Sequence, residues 1–156
     1  MDKFSKYDYK GQRLANDCLN QLFSACTLNF EYHYQDKNPI DIEMTATTRN
    51  GNEYYYSIEC KDRQMNHNKY NDYLIEEHKI RDIKKEIEKG RKGIYLNTFA
   101  DGYCVCWDLS KIDTNNLKTV TKSFYKTEVT KEQYKAKIET KKVLPLCEAI
   151  YIGKLL

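Results

Sequence analysis

Apolar residues recur four apart at Leu14, Cys18, Leu22 and Cys26, with Leu19 and Phe23 alongside. That spacing makes one stripe on a helix, so residues 11–26 read as amphipathic and helical. The period then drops to two. Leu28, Phe30, Tyr32 and Tyr34 alternate with polar neighbours and predict a strand over 27–34. Gln35-Asp36-Lys37-Asn38-Pro39 reads as a turn. Alternation resumes over 40–47, with Ile40, Ile42 and Met44 on one face and Asp41, Glu43 and Thr45 on the other. It continues over 53–61, where Tyr54, Tyr56, Ile58 and Cys60 oppose Tyr55, Ser57, Glu59 and Lys61. A polar loop covers 62–71, and a helix is predicted over 72–89 with Tyr73, Ile80, Ile83 and Ile87 as its seam and Gly90 as its stop. Residues 93–99 and 103–109 read as a hairpin across Ala100-Asp101-Gly102. Beyond it the pattern is mixed. The order is α-β-β-β-α-β-β followed by a C-terminal extension.

Side-chain parity fixes how the two central strands face each other. Suppose they form an antiparallel hairpin. Their apolar sets share one core only if paired positions sum to an even number, because a one-residue slip turns a strand over. A three-residue turn at Asn50-Gly51-Asn52 meets this condition and pairs Arg49 with Glu53. Asp41 then lies opposite Lys61, and Glu43 opposite Glu59. Gly51 or Asn52 supplies the positive φ that such a turn needs. Three carboxylates on one patch repel unless a cation joins them. Oxygen donors of this kind suit Mg2+ or Mn2+.

An Asp that opens one strand and a Glu-x-Lys that closes the next, here Pro39-Ile40-Asp41 and Glu59-Cys60-Lys61, resemble the signature of the PD-(D/E)XK nuclease superfamily. That superfamily includes restriction endonucleases and Holliday-junction resolvases. The resemblance covers roughly the first two-thirds of the chain. Pro39 stands two residues before Asp41 rather than one. The resemblance implies an α/β, restriction-endonuclease-like fold: a mixed central sheet flanked by helices, with an αβββαβ core and here a C-terminal extension. It implies an Mg2+- or Mn2+-dependent deoxyribonuclease that hydrolyses phosphodiesters with a metal-activated water. The catalytic trio would be Asp41, Glu59 and Lys61, with Asp41 and Glu59 as metal ligands and Lys61 acting at the water or the scissile phosphate. Many members add an acid from the first helix, for which Asp17 is the local candidate. Glu43 lies outside the shared motif and is read as an auxiliary metal ligand.

Composition changes this picture little. A chain of 156 residues suits one domain, 1–156, with a sizeable core. Fourteen Tyr supply much of the apolar bulk, so buried phenols needing partners are expected. No apolar run reaches membrane-spanning length, and Met1-Asp2-Lys3-Phe4-Ser5 lacks a signal-peptide core, so a cytoplasmic protein without membrane contact is expected. The six Cys contain no Cys-x-x-Cys pair and lie among apolar neighbours, which reads as buried free thiols. The formal net charge of +3 does not announce nucleic acid, although residues 111–156 carry ten Lys against five acids. Arg63, Gln64, Asn66 and Lys69, in the loop after Lys61, are donors suited to phosphates and base edges and are the expected DNA contacts. A homodimer would enlarge so modest a basic surface. The alternative reading is a non-catalytic nucleic-acid-binding or assembly module on the same fold. No Walker loop or Gly-x-Gly-x-x-Gly motif is present.

Overall fold

The computed structural model describes the backbone of residues 3–33, 38–125 and 136–155, and the side chains of 11–33, 38–121 and 139–155. Tyr34, the turn residues 35–37 and the lysines at 126, 131 and 135 lie outside it. Helix α1 spans Lys3–Leu22, followed by β1 (Thr27–Tyr32), β2 (Ile42–Thr47) and β3 (Glu53–Arg63). Next come β4 (Asp72–Glu76), α2 (Glu77–Glu88), β5 (Lys92–Phe99) and β6 (Tyr103–Asp108). The chain ends with β7 (Thr119–Tyr125), β8 (Ala136–Pro145) and β9 (Tyr151–Lys154).

Six strands form one mixed sheet in the order β1-β2-β3-β5-β6-β9. β3 and β5 are parallel, and the other neighbours in this sheet are antiparallel. A parallel neighbour needs a crossover, and α2 supplies it. Ala15, Cys18 and Leu19 of α1 cover one face, against Ile42, Met44, Ile58, Leu96 and Cys106. Ile80 and Ile83 of α2 cover the other, with Tyr95, Val105 and Trp107. Each fully buried Ile or Leu in these layers contributes roughly 1.5–3 kcal/mol. The sheet is thus mixed and flanked by helices, as the nuclease resemblance implied. No helix among the described residues is long and apolar enough to cross a membrane.

Several expectations need correction. The first helix begins at Lys3 and ends at Leu22; residues 23–26 turn instead, with the Cys26 N–H donating to the Phe23 carbonyl at 2.9 Å. The predicted helix over 72–89 is two elements. Its first five residues are β4, with Tyr73 and Ile75 buried in alternation. β4 pairs with β8, and β8 with β7, as a second three-stranded sheet. Ile40 does not share the face of Ile42 and Met44: it packs with Tyr73 and Trp107 on the α2 side, because the strand begins only at Ile42. Cys18 and Cys104 form a disulfide that joins α1 to β6, whereas Cys26, Cys60, Cys106 and Cys147 are free. Facing positions on a helix and a strand bring those two sulfurs together, and sequence spacing does not reveal it.

The hairpin between β2 and β3 keeps the expected parity but shifts by two. Its three loop residues are Arg49-Asn50-Gly51, closed by Thr48 N–H to the Asn52 carbonyl at 2.9 Å and Gly51 N–H to the Thr48 carbonyl at 3.0 Å. Gly51 takes a φ of 83°, which a side chain would resist. Ile42 therefore pairs with Ile58 and Glu43 with Ser57. Asp41 comes level with Glu59 rather than Lys61, and Glu43 is not opposite Glu59.

Candidate active site

The β2–β3 ladder ends at Ile42 and Ile58. One residue further, the Asp41 side chain takes over the next backbone donor: its Oδ2 accepts the Cys60 N–H at 2.9 Å. The Asp41 carbonyl accepts the His33 N–H at 2.9 Å, and the Ile40 N–H donates to Asn38 Oδ1 at 2.9 Å. These three bonds fix Asp41 between β1 and β3. Glu59 sits on β3 with its side chain on the α2 side of the sheet, and it is only 3% exposed. Lys61 follows on the same face by strand alternation, and it is exposed.

Helix α2 and the residue before it bring two more charges. Lys79, in the first turn, forms an ion pair and hydrogen bond with Glu59. Glu76 stands three residues earlier, at the cap position, so the start of the helix presents both toward the sheet. Glu76 Oε2 is buried and has no hydrogen-bond partner among the described residues, while Oε1 lies 3.8 Å from the Lys141 ammonium. Neither Glu76 nor Lys79 was singled out from the sequence. Glu76-x-x-Lys79 at the head of a helix following Glu-x-Lys was the available signal.

The electrostatics follow from burial and these neighbours. Burial pushes the Glu59 carboxyl up to about 7; Lys79 opposes this, and Asp41 adds to it. Burial alone would lower the Lys79 ammonium, but Glu59, Glu76 and Asp41 outweigh it and raise its pKa. Glu76 is held below the usual carboxylate range: burial works against ionisation, but Lys79, Lys61 and Lys141 prevail. Lys61 is lowered, first by desolvation, against Glu76 and with Lys79, Arg63 and Lys141 nearby. The residue is nevertheless exposed at the rim of the sheet. Asp41 and Glu59 offer two hard oxygen donors in a partly dry setting, though among the described residues only Glu31, His33 and Glu43 bring three potential ligand atoms within 4.8 Å of one another. The Asp41 and Glu59 donors fit a small divalent cation such as Mg2+ or Mn2+.

Other expected site residues lie elsewhere. Glu43 is engaged by His33 Nε2 at 3.1 Å and by the Arg91 guanidinium at 3.3 Å. With Glu31 and His33 it makes a cluster whose ligand atoms lie within 4.8 Å of one another, and Arg91 already lends that cluster positive charge. Asp17 is exposed on α1, which packs on the face opposite Glu59, and no hydrogen bond or ion pair joins it to the site among the described residues. Arg63 is an internal anchor. It donates to Asn97 Oδ1, to the Leu74 carbonyl at 2.7 Å and to the Tyr95 hydroxyl at 3.4 Å, and it lies 5.0 Å from the centre of the Tyr73 ring. Gln64, Asn66 and Lys69 are exposed. Gln64 bonds Asp62 at 2.9 Å, and Lys69 lies over Tyr70. The loop is tied down by His67, whose Nδ1 meets Asp101 Oδ2 at 2.7 Å and whose ring stacks on Tyr103.

Three antiparallel strands, a helical crossover to a parallel fourth, an Asp just before the second strand and Glu-x-Lys on the third reproduce the αβββαβ order implied by the nuclease resemblance, with β4 inserted before the crossover helix. No family model matches the chain, and no curated protein matches it. Among solved structures the chain is similar to Hjc, a Holliday junction resolvase from the archaeal hyperthermophile Archaeoglobus fulgidus. The two are 14% identical, the match covers 65% of this chain and 74% of that chain, and the TM-score is 0.43.

Proposed function

We propose that this protein is a divalent-metal-dependent endonuclease acting on DNA. The observation that carries the reading is the buried Glu59 beside Asp41, with Lys61 following on the same side of β3. A protein has little structural reason to bury a carboxylate next to another one, since each opposes the other's ionisation. Asp41 and Glu59 would hold Mg2+ or Mn2+, which when bound supplies an acidified water and charge to offset that growing on the phosphate. Asp41 is positioned by the Cys60 amide, so its carboxylate does not have to be ordered when an ion arrives. Lys61, whose pKa is lowered, lies at the exposed rim, where it would meet the scissile phosphate and stabilise negative charge there. Lys69, Gln64 and Asn66 would contact the DNA backbone, and a second copy of the chain would extend that surface. Arg63 would position β3 against β4 and β5 rather than touch substrate.

A non-catalytic DNA-binding or assembly module is the second reading. It is favoured by Lys79, which already neutralises Glu59 without any ion. Incubation with branched, duplex and single-stranded DNA, with Mg2+ or with EDTA, separates the two. The nuclease reading expects Mg2+-dependent cleavage. Lys61→Ala should bind Mg2+ normally and lose at least about 100-fold in rate, and Asp41→Asn should lose both. Wild-type cleavage by Lys61→Ala refutes the role of the lysine; no cleavage of any substrate favours the module.

A further inference from the structure

We propose that Lys79 is a tethered cation that keeps the place of the divalent ion, neutralising Glu59 in the metal-free protein and withdrawing when the ion binds. The inference rests on reading Asp41 and Glu59 as metal ligands, and it adds a built-in competitor to that site.

The geometry points to this exchange. Glu59 is almost wholly buried and needs a positive partner wherever it is ionised. Lys79 reaches it from the first turn of α2. An ammonium and a divalent ion within one contact distance repel strongly, so the two compete for Glu59, whose Oε1 Lys79 occupies. Lys79 has somewhere to go. Its side chain is 24% exposed, so a path to solvent exists. Glu76, one turn back, keeps a buried oxygen with no hydrogen-bond partner among the described residues. A flexible four-carbon stem can swing between the two carboxylates without moving the helix. The alternative is a fixed ion pair that excludes metal.

The test uses the full chain without DNA, at one fixed pH for every variant. Mg2+ is titrated calorimetrically into wild type, Lys79→Met, Lys79→Arg and Asp41→Asn, and the Mg2+-induced rise in melting temperature is recorded for each. Lys79→Met should bind Mg2+ at least about tenfold tighter than wild type. It should melt lower than wild type without metal and show the larger rise with it. Lys79→Arg keeps a charge that forks onto carboxylates, so it should bind Mg2+ no tighter than wild type. If Lys79→Met proves unfolded without metal, recovery of the fold on adding Mg2+ supports the exchange and failure to recover overturns it. Equal or weaker binding by Lys79→Met, with binding abolished in Asp41→Asn, overturns the role of Lys79 while leaving the metal site in place. Tighter binding by Lys79→Arg overturns it as well. Absence of Mg2+ binding in wild type and Lys79→Met alike removes the metal site and this inference together.

Discussion

Replacing Glu59 with Gln tests the burial argument directly. The folded protein holds this carboxyl at about 7, against an ordinary value of 4.5. A raised folded pKa means that the native state prefers the proton. The associated stability is fully present below about pH 4.5 and is lost as pH rises through about 7. At roughly 1.36 kcal/mol per unit, ionising Glu59 costs the metal-free fold on the order of 3 kcal/mol by about pH 8. Gln keeps the shape and removes the charge. Lys79 loses its partner, but that attraction is already contained in the Glu59 value, and its partly exposed ammonium can turn to solvent. With EDTA present, Glu59→Gln should therefore be more stable than wild type by about 2–3 kcal/mol near pH 8. The two should agree within about 0.5 kcal/mol near pH 4. Urea unfolding across this range measures the difference, which amounts to a midpoint shift of about 1 M or more. Adding Mg2+ should close the gap, since only wild type gains from binding it. A variant less stable than wild type at pH 8 would refute the reasoning, because the Lys79 pair would then outweigh the desolvation of Glu59.

Metal affinity of the wild type should weaken by up to about tenfold per pH unit below about 7 and level off above it, because the ion needs the ionised Glu59; a flat calorimetric profile between about pH 5.5 and 8 contradicts this. Gly93→Ala should destabilise by about 1–3 kcal/mol, since a Cβ there would stand 2.3 Å from Ile83 Cγ2 and 3.2 Å from Ile87 Cδ1, prising α2 from β5; an unchanged melting temperature would show that the helix is free to shift. Arg63→Ala should cost about 2–4 kcal/mol of stability through the bonds it leaves unmade on Asn97 and the Leu74 carbonyl. Lys69→Ala should instead leave stability unchanged and lower the salt slope of DNA binding by about one, and the reverse pattern would exchange their roles.

Residue periodicity carried the central part of this protein. The four-residue stripe of α1 and the alternation of β2 and β3 are local properties, and both end up facing the core they imply. Parity required the hairpin loop to hold an odd number of residues, and it put Glu59 and Lys61 opposite Ile58 and Cys60. It could not choose between two registers of equal parity. That choice fell to Gly51, whose positive φ closes the turn one residue earlier and moves Asp41 from Lys61 to Glu59. Residues 72–76 escaped for a different reason. Tyr73 fits a helical seam as well as a strand, and its strand partner, Leu144, lies far along the chain. Only packing against β8 settles the ambiguity, since a five-residue segment has no local preference strong enough to decide. The same holds for the charges. Arg63 in a polar stretch reads as a phosphate contact, yet the approach of β4 and β5 turns it inward. Lys79 reads as one more helical lysine until the crossover lays α2 over Glu59. Sequence determines which faces are apolar, because that depends on spacing alone. Which charges meet depends on where separate elements come to rest, and that is decided by the tertiary structure.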